Sequence, residues 1–406
     1  MSEVKLLEGI KVVDASLAET GPCATQFLAF LGADVYHIER PKAMEFKRIL
    51  NYTGVLQRNC NKKSISVNSK TQEGKELMWK LLEKADVFLE NFAPGAWDRM
   101  GFSYEEVKKR NPNILYVSVK GFSKESPWAN CVTIDPVACC TGGSAYLGGY
   151  EDFDVPMLTG INTADGGTGI HAGLTLLFAI LRRKLTGKGE FIEVPMQNVV
   201  TTYCRDAFVE YYAKDGKIRR SGNGYKGLKK TGPWNIYPTL GHEPMGNFIA
   251  ITCRPEAEYQ DFEHLCAAMG RTDLLEDPRY LTPELRYENR LSLDKEIRKW
   301  TFRFSKEKLM DVLGKQWGIP VGMVNSIKDI LADDFLNNGS GVVQAIEDPL
   351  MGKPFYTPSI PIKISGEPTI TLVSCGEEGT ANEEVYGGFL GLSKEEIADL
   401  TAKHVI

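Results

Sequence analysis

The sequence predicts an α/β protein built on a doubly wound parallel sheet, followed by a smaller α+β region. The first observation is GIKVVD (residues 9–14), an apolar, β-branched segment typical of a buried strand. The second is the helical segment 20–33, followed by the strand-like DVYHIE (34–39), which completes a strand–helix–strand unit. The third is that this alternation continues downstream, as a doubly wound fold requires.

Each later element follows from its own pattern. In the first helix Thr20 is the expected N-cap, Pro22 lies in the first turn, and Gly32 marks the end. Helical and strand-like segments then alternate, and a strongly apolar helix precedes the last strand. The expected helices are 70–85, 104–112 and 166–183, and the expected strands are 86–91, 114–119 and 191–196.

Composition changes in the second half of the chain. Residues 213–246 are rich in Gly, Lys and Pro, which predicts a linker and a glycine-rich loop. Residues 247–325 show helices and short strands. Residues 326–406 carry a further strand–helix series that ends in a short helix at 393–404. A length of 406 residues fits two or three domains.

The composition is typical of a globular protein of the cytoplasm. Hydrophobic residues make up 43% of the chain, which excludes a mainly disordered protein. The longest apolar runs, near 26–31 and 172–181, are shorter than the roughly 18–20 residues of a membrane span. The N-terminus lacks a signal-peptide pattern. Nine cysteines without metal-ligand spacing predict reduced thiols and no metal site.

Charge is unevenly distributed. The net charge of −5 argues against general nucleic-acid binding. Residues 40–75, however, contain nine basic and two acidic residues, a net charge of +7 that leaves −12 for the rest of the chain. Two interpretations stay open for this stretch: a solvated basic face, or a site for a small polyanion such as a nucleotide or a phosphorylated cofactor.

Several common catalytic sites lack their motifs here. The first βα turn, SLAETGP, has no GxGxxG pattern, so an NAD site is not expected although Glu39 ends the second strand. The five histidines show neither metal-ligand nor triad spacing. Asp165 has two compatible interpretations: an N-cap, or a carboxylate among free N–H groups that stabilise an acyl intermediate. Gly166 and Gly167 would leave room for a substrate.

A series of motifs occurs in a fixed order over residues 8–200: GIKVVD, LGADVYHIERP, NCNKKSISVNSKTQEGKEL, ENFAPGAWDRMGFSYE, NPNILYVSVKGF, DPVACCTGG, TADGGTGIHAG and TGKGEFIEVPMQ. The series resembles the class III CoA-transferases. This family, of the CaiB/BaiF type, contains formyl-CoA:oxalate and crotonobetainyl-CoA:carnitine CoA-transferases, with α-methylacyl-CoA racemase as a relative. The motifs ENFAPGAWDRMGF and VSVKGF are especially similar to the formyl-CoA:oxalate branch.

The resemblance implies a fold and an assembly. It implies a large Rossmann-like, CoA-binding domain made from residues 1–212 with 326–406, a linker and glycine-rich loop at 213–246, and a small α+β domain at 247–325. It also implies an interlocked homodimer. The partners expected from it are acyl-CoA, a small carboxylic acid and a second copy of the chain, with no nucleic acid and no membrane.

The resemblance also assigns roles to single residues. Asp165 falls on the catalytic aspartate of the family. Arg40 and Lys70 fall on CoA-contacting positions and bracket the basic stretch, which gives the polyanion interpretation a specific ligand. The surroundings of the reacting groups are implied to be Glu19, Asp135, Gly166, Gly167 and Met196. The CoA-binding positions are implied to be Ala18, Arg40, Val67, Lys70, Asn91, Phe92, Arg99 and Met100.

Some positions depart from the family pattern. Glu19 stands where the oxalate enzyme has a glutamine that handles the small acid, and a glutamate there would repel a dianion such as oxalate. Val132 stands where a CoA-contacting lysine is found. The glycine-rich lid is replaced by GNGYKGLKKTGP (222–233). The resemblance therefore carries over the CoA half of the site and not the acid specificity.

The function implied is transfer of CoA from an acyl-CoA to a carboxylic acid, through an aspartyl anhydride and an aspartyl-CoA thioester on Asp165. CoA is then a substrate and not a tightly bound cofactor. Two alternatives stay open. An acyl-CoA racemase would need a base that Ile134 replaces, and a non-catalytic CoA-binding protein would have no use for Asp165 and its glycines.

Overall fold

The computed structural model describes residues 5–41, 53–150, 153–220, 222–223, 232–241, 246–254, 258–348, 351–363, 365 and 369–406. The chain divides into two compact units. The first consists of residues 1–144, 159–203 and 334–406, and the second of residues 145–158 and 204–333. The first unit therefore combines segments from both halves of the sequence.

A parallel sheet forms the centre of the first unit. Six strands of the described chain take the order β3-β2-β1-β4-β5-β6, and every neighbouring pair is parallel. This is the order of doubly wound folds, which bind ligands outside the carboxyl ends of the strands where the order reverses, here between β1 and β4. The predicted α/β class is confirmed. The strands are β1 Lys11–Ala15, β2 Asp34–Glu39, β3 Lys63–Ser66, β4 Val87–Glu90, β5 Leu115–Lys120 and β6 Glu190–Pro195.

Helices connect these strands and also occur in the second unit. The remaining strands are β7 Trp234–Pro238, β8 Phe248–Thr252, β9 Val321–Met323, β10 Val343–Ile346 and β11 Phe355–Pro358. The helices are α1 Thr20–Phe30, α2 (described over 53–59), α3 Gln72–Lys84, α4 Ala96–Met100, α5 Tyr104–Arg110, α6 Asp135–Thr141, α7 Ser144–Leu147, α8 Thr163–Thr186, α9 Met196–Tyr203, α10 Arg205–Ala213, α11 Asp261–Met269, α12 Pro283–Glu288, α13 Arg290–Thr301, α14 Lys306–Leu309, α15 Ile327–Ala332 and α16 Lys394–Ala402.

Hydrophobic clusters cover both faces of the parallel sheet. Neighbouring residues of β1 point to opposite faces, so Val13 belongs to one cluster and Val12 to the other. The first cluster also contains side chains of α3, α5 and the C-terminal segment, and the second contains side chains of α1 and α8. Burial on both faces explains why β1 and β4 have almost continuous apolar sequences. The sequence does not predict β3, because Lys63 and two serines interrupt its short apolar pattern.

The C-terminal segment completes the first cluster. The Tyr386 hydroxyl donates to the carbonyl of Ser66 over 2.7 Å, and the N–H of Asn68 donates to the carbonyl of Val405 over 2.8 Å. Val405 and Ile406 are 1% and 7% exposed. The last described residues are therefore part of the core that covers β3.

Close packing of α1 against α8 sets the position of the chain before α8. A Cβ atom on Gly169 would lie 2.8 Å from the Thr20 carbonyl oxygen and 2.7 Å from Cβ of Cys23. One on Gly173 would lie 3.3 Å from the Ala24 carbonyl oxygen. The missing side chains thus let two backbones approach. Of the described helices, α8 alone is long and apolar enough to cross a membrane, and its Gly169 and Gly173 face packs against α1.

The second unit has a separate antiparallel sheet and core. In the described part of this unit the strand order is β7-β8-β9. Its apolar cluster includes Ile249, Leu265 and Ile297, each of which is fully buried. Within the predicted linker 213–246, residues 234–238 form β7, which pairs with β8. Of the predicted lid 222–233, residues 224–231 lie outside the described residues.

Candidate active site

Six of the predicted site positions lie at the carboxyl edge of the parallel sheet. Parallel strands all end at the same edge, so the residues that follow them lie near one another. This explains how positions far apart in sequence can share one ligand. Ala18 follows β1, Arg40 follows β2, Val67 follows β3, Asn91 and Phe92 follow β4, and Met196 follows β6.

Asn91 joins the loops after β1 and β4, where the strand order reverses. Its Nδ2 donates to the Leu17 carbonyl over 2.8 Å, and its Oδ1 accepts the Leu17 N–H over 2.8 Å. Ala18, the next residue, has a φ of +62°, in the left-handed region that a non-glycine residue seldom adopts. The side chain of Asn91 therefore fixes the turn that carries Ala18 and leads to α1.

Asp165 lies in the first turn of α8, three residues after the N-cap Asn162. The interpretation of Asp165 as the N-cap is therefore wrong. The capping acceptor is Asp135, at the start of α6, whose Oδ1 accepts the N–H groups of Ala164 over 2.7 Å and of Asp165 over 2.9 Å. One predicted site residue thus holds the backbone of another.

The other N–H groups of the α8 terminus also have acceptors. Thr163 donates to the Ile161 carbonyl over 2.8 Å, and Gly166 donates to the Asn162 carbonyl over 3.0 Å. With Asp135 on Ala164 and Asp165, the first four N–H groups of α8 are all occupied. The expectation that free donors surround Asp165 is therefore wrong. Of the two glycines expected to leave room for a substrate, Gly166 borders open space and Gly167 does not.

The Asp165 carboxyl group is half-buried and hydrogen-bonded. The Thr20 hydroxyl donates to its Oδ1 over 2.5 Å. Burial raises the pKa of this carboxyl above its usual value, Thr20 opposes the shift, and the negative charges of Asp135 and Glu19 add to it. A carboxylate with a raised pKa is more basic, and hence a better nucleophile, than an ordinary surface aspartate.

Glu19 is held beside Asp165 by two donors. Arg58 Nη2 lies 3.3 Å from its Oε2, and Asn162 Nδ2 donates to the same oxygen over 2.7 Å. The other oxygen, Oε1, has no hydrogen-bond partner among the described residues, and it lies 3.7 Å from the place of a Cβ on Gly166. The sequence alone does not point to Arg58, because it appears only as one of nine basic residues in its stretch.

Gly166 and Gly167 have different surroundings. Within the described residues, a Cβ on Gly166 would contact nothing closer than Glu19 Oε1, so the space beside Asp165 is open. A Cβ on Gly167 would lie 2.5 Å from the Tyr203 hydroxyl oxygen. That hydroxyl is also 3.2 Å from Nδ1 of His171.

Met196 lies under the first turn of α8 and not in open space. It is 6% exposed and belongs to a small apolar cluster formed by α6, α8 and α9. This cluster includes Ala164, the residue before Asp165, so it supports the turn that carries the carboxyl group. Its members are Ala138, Cys139, Ala164, Met196 and Val200.

The predicted CoA-binding residues fall into exposed and buried groups. Arg40, Lys70 and Arg99 are exposed cations. Arg99 donates to the Pro94 carbonyl over 3.2 Å. Val67 is 3% exposed and packs in the core, and its N–H donates to Glu39, so its side chain does not face solvent. Near Lys70, the Ser69 hydroxyl lies 3.8 Å from Sδ of Met100, and Phe92 packs edge-on against Trp97.

The basic stretch contributes fewer free charges than its sequence suggests. Lys63 pairs with Asp34 over 2.8 Å and with Glu384 over 2.6 Å, and Arg58 pairs with Glu19. Lys62 is fully buried. Lys42, Lys47 and Arg48 lie outside the described residues. The interpretation of the whole stretch as one solvated basic face is therefore wrong, because Arg58, Lys62 and Lys63 form ion pairs within the protein. Arg40 and Lys70 are exposed.

Lys62 and Asp14 form a buried ion pair beneath the β1–α1 loop. Lys62 Nζ lies 2.9 Å from Asp14 Oδ2 and donates to the Pro22 carbonyl over 2.8 Å. Ser16, Thr25 and His37 also bond to Asp14. Burial opposes ionisation of Asp14, but Lys62 and then His37 hold its pKa well below the usual value. The pair ties the first turn of α1, which carries Thr20, to β1.

Comparison with known proteins assigns the family. The family model described as "CoA-transferase family III" matches residues 7–375. The chain belongs to CoA-transferase family III. The predicted enzyme class is thereby confirmed, and CoA or an acyl-CoA is a substrate of the family. In the described residues no group of three or more His, Cys, Asp or Glu side chains could hold a metal ion.

Similar proteins align with nearly the whole length of this chain. A formyl-CoA:oxalate CoA-transferase of Streptomyces coelicolor is 35% identical over 423 residues, which span 99% of this chain and 99% of that protein. A protein of the same name from Escherichia coli is 35% identical, over 98% of this chain and 99% of its own length. The crystal structure of a CaiB/BaiF family protein from Brucella suis has a TM-score of 0.82 and 26% identity, covering 94% of this chain and 98% of that one.

Proposed function

We propose that this enzyme transfers CoA from an acyl-CoA to a carboxylic acid, with Asp165 as the nucleophile. The observation that carries the proposal is the Asp165 carboxyl group, half-buried, held by Thr20 over 2.5 Å and next to the open space at Gly166. Its raised pKa supports nucleophilic attack. Its fixed backbone, held by Asp135, supports a reaction that returns repeatedly to the same carboxyl carbon.

The reaction is a sequence of acyl exchanges. An oxygen of Asp165 attacks the thioester carbonyl, so the C–S bond breaks and an aspartyl–acyl anhydride and CoA thiolate form. The thiolate attacks the aspartyl carbonyl, which releases the donor carboxylate and leaves an aspartyl-CoA thioester. The acceptor carboxylate then attacks this thioester and forms a second anhydride with release of CoA thiolate. Attack of the thiolate on the acceptor carbonyl gives the new acyl-CoA and free Asp165.

The exposed cations of the sheet edge supply the CoA site in this proposal. Arg40 and Lys70 follow neighbouring strands, and Arg99 lies in the last turn of α4. Cations at the carboxyl edge of a doubly wound sheet attract phosphate groups. Because CoA must stay bound while its thiol is exchanged, this end of the site is expected to act by binding and not by chemistry.

A second copy of the chain is part of the proposal. Along α8 five large apolar side chains recur every three or four residues and are 48–79% exposed: Ile170, Leu174, Phe178, Leu181 and Leu185. A stripe of this kind on a helix is expected to be covered by another apolar surface. We assign it to the interlocked homodimer, with a large domain of 1–212 and 326–406, a linker at 213–246 and a small domain at 247–325. Light scattering should give twice the chain mass, and a monomer would contradict the assignment.

Intact-mass measurement tests the nucleophile. Wild-type enzyme incubated with an acyl-CoA should acquire a covalent adduct on Asp165 that hydroxylamine removes. Asp165→Asn should give no adduct while it binds CoA as tightly as the wild type in calorimetry. Asp399→Asn, which changes an exposed aspartate of α16 paired with Lys403, is the matched control and should form the adduct normally. Transfer by Asp165→Asn at the wild-type rate would refute the proposal.

A further inference from the structure

The carboxylate of Glu19 offers a basis for choosing the acceptor acid. Resting on the function proposed above, we propose that Glu19 makes this enzyme prefer monocarboxylic acids that carry a hydroxyl group over dicarboxylic acids. Arg58 and Asn162 are positioning residues in this proposal. They set the direction of the glutamate and do not themselves meet the acid.

The two oxygens of Glu19 differ in what they contact. Oε2 takes both described donors, Arg58 over 3.3 Å and Asn162 over 2.7 Å. Oε1 has no partner among the described side chains and backbone groups, and it borders the open space above Gly166. An ionised carboxylate accepts several hydrogen bonds. The free oxygen of Glu19 is therefore an acceptor aimed at the place where an acid bound beside Asp165 would lie.

The orientation of Glu19 is fixed from two sides. Arg58 lies on α2 and Asn162 precedes α8, so the two donors come from separate segments of the first unit. The Glu19 and Arg58 side chains are 24% and 26% exposed. Partial burial limits the number of conformations of both side chains. Because both donors bind Oε2, Glu19 cannot turn this oxygen toward the substrate without breaking both hydrogen bonds.

The charges around Asp165 disfavour a second negative group on the acid. Glu19 and Asp135 both act electrostatically on Asp165, and Arg58 is the cation that opposes them. Asp135 already accepts two backbone N–H groups, and Arg58 already donates to Glu19. The far carboxylate of a dicarboxylic acid would thus meet an acceptor oxygen of like charge. A hydroxyl group in the same place would donate to it.

Matched acids of equal chain length test the preference. The first series is acetate, glycolate and oxalate, and the second is propionate, 3-hydroxypropionate and malonate. With one acyl-CoA donor, the mass of each new acyl-CoA gives kcat/KM for each acid. We expect the hydroxy acid to exceed the unsubstituted acid in at least one series, and the dicarboxylic acid to be the poorest in both.

Two variants assign the preference to Glu19 and its support. Glu19→Gln keeps the shape and removes the charge, so the ratio of kcat/KM for the dicarboxylic acid to that for the hydroxy acid should rise about tenfold, as expected for loss of a partly solvated charge interaction. Arg58→Met should raise KM for the hydroxy acid and leave KM for the acyl-CoA unchanged. Arg58→Lys should restore part of the loss. Glu83→Gln alters another Arg–Glu pair, with Arg110. It should change neither the ratio of kcat/KM values nor KM for the hydroxy acid.

The outcomes separate this inference from the function on which it rests. If wild-type enzyme uses oxalate or malonate as well as the matching hydroxy acid, or if Glu19→Gln leaves the ratio unchanged, the role of Glu19 is refuted and the aspartyl route stands. If the wild type transfers CoA to no acid and forms no adduct on Asp165, the proposed function itself fails, and the acceptor preference with it.

Discussion

Oδ1 of Asp135 accepts the backbone N–H of Asp165 over 2.9 Å, so one carboxylate holds the helix turn that carries the other. Asp135 also affects Asp165 through its charge, which adds to the effect of burial in raising the pKa of Asp165. A single residue therefore influences both the position and the basicity of the proposed nucleophile.

Replacing Asp135 tests its role as the acceptor that caps α8. Asp135→Ala removes the acceptor for the N–H groups of Ala164 and Asp165, and it should lower the free energy of unfolding by about 1 kcal/mol, the usual cost of a lost helix cap. Asp135→Asn keeps an acceptor oxygen and should cost less. Urea denaturation of the three proteins measures the difference. Equal stability of the alanine and asparagine variants would contradict the capping role.

Asp165→Asn should make the protein more stable at neutral pH. The pKa of Asp165 is raised in the folded state, first by burial, so ionisation opposes folding, and the penalty grows as pH rises through the folded-state pKa. The asparagine variant lacks this penalty and keeps an oxygen for Thr20. Its Tm should exceed that of the wild type at pH 7.5, and the gap should close below the ordinary aspartate pKa. A lower Tm at pH 7.5 would contradict this account.

Removing the buried lysine should cost far more than removing its neighbour. Lys62→Met leaves Asp14 buried without its main cation, which should lower the free energy of unfolding by about 3–5 kcal/mol. Lys63→Met breaks partly exposed pairs with Asp34 and Glu384 and should cost no more than about 1 kcal/mol. Guanidinium denaturation of both variants tests the contrast. Similar losses would show that the Asp14 pair is not the stronger one.

The wild-type Asp14 pair should also weaken in acid. Burial opposes its ionised form, but Lys62 and His37 lower the pKa of Asp14 below that of an unfolded aspartate. Its contribution to stability is therefore present above the unfolded pKa and is lost as pH falls toward the folded pKa. The difference in unfolding free energy between wild type and Lys62→Met should thus shrink below about pH 4. A difference independent of pH would contradict this.

Two glycines of α8 should respond oppositely to alanine. Gly166→Ala places a methyl group in open space, so stability should hold or rise by up to about 1 kcal/mol. Its kcat/KM should nevertheless fall at least about tenfold, because the methyl group occupies the space beside Asp165. Gly169→Ala would press on the Thr20 carbonyl at 2.8 Å and should cost about 1–3 kcal/mol. Thermal unfolding and initial rates measure both, and full activity in Gly166→Ala would show that this space is not used.

Much of the fold is predictable because alternating strands and helices leave local signals. The segment 34–39 matches β2, and 114–119 differs from β5 by one residue at each end. β3 is missed because four residues containing Lys63 carry too little pattern. The start of α8 is placed three residues late because Asn162 and Thr163 resemble a loop, and only the distant acceptor Asp135 satisfies the terminus.

The site is less predictable because its main contacts join residues far apart in sequence. Thr20 and Asp165 are 145 residues apart, and Arg58 and Glu19 are 39 apart. Composition cannot show which lysine of a basic stretch turns inward, so Lys62 looks like a surface charge until the strands are assembled. The resemblance to a family predicts Asp165 as the catalytic residue, whereas the contacts of Asp135 and Arg58 form only in the folded chain.

The core over β3 links this protein's folding to its synthesis. Tyr386 bonds to Ser66 across 320 residues of sequence, and Val405 accepts the N–H of Asn68. At ribosomal rates of about 5–20 residues per second, β3 would be synthesised on the order of half a minute before the residues that cover it. During that interval the nascent chain exposes apolar surface that holdase chaperones recognise. Sheet assembly should therefore finish only after residues 386–406 have been synthesised.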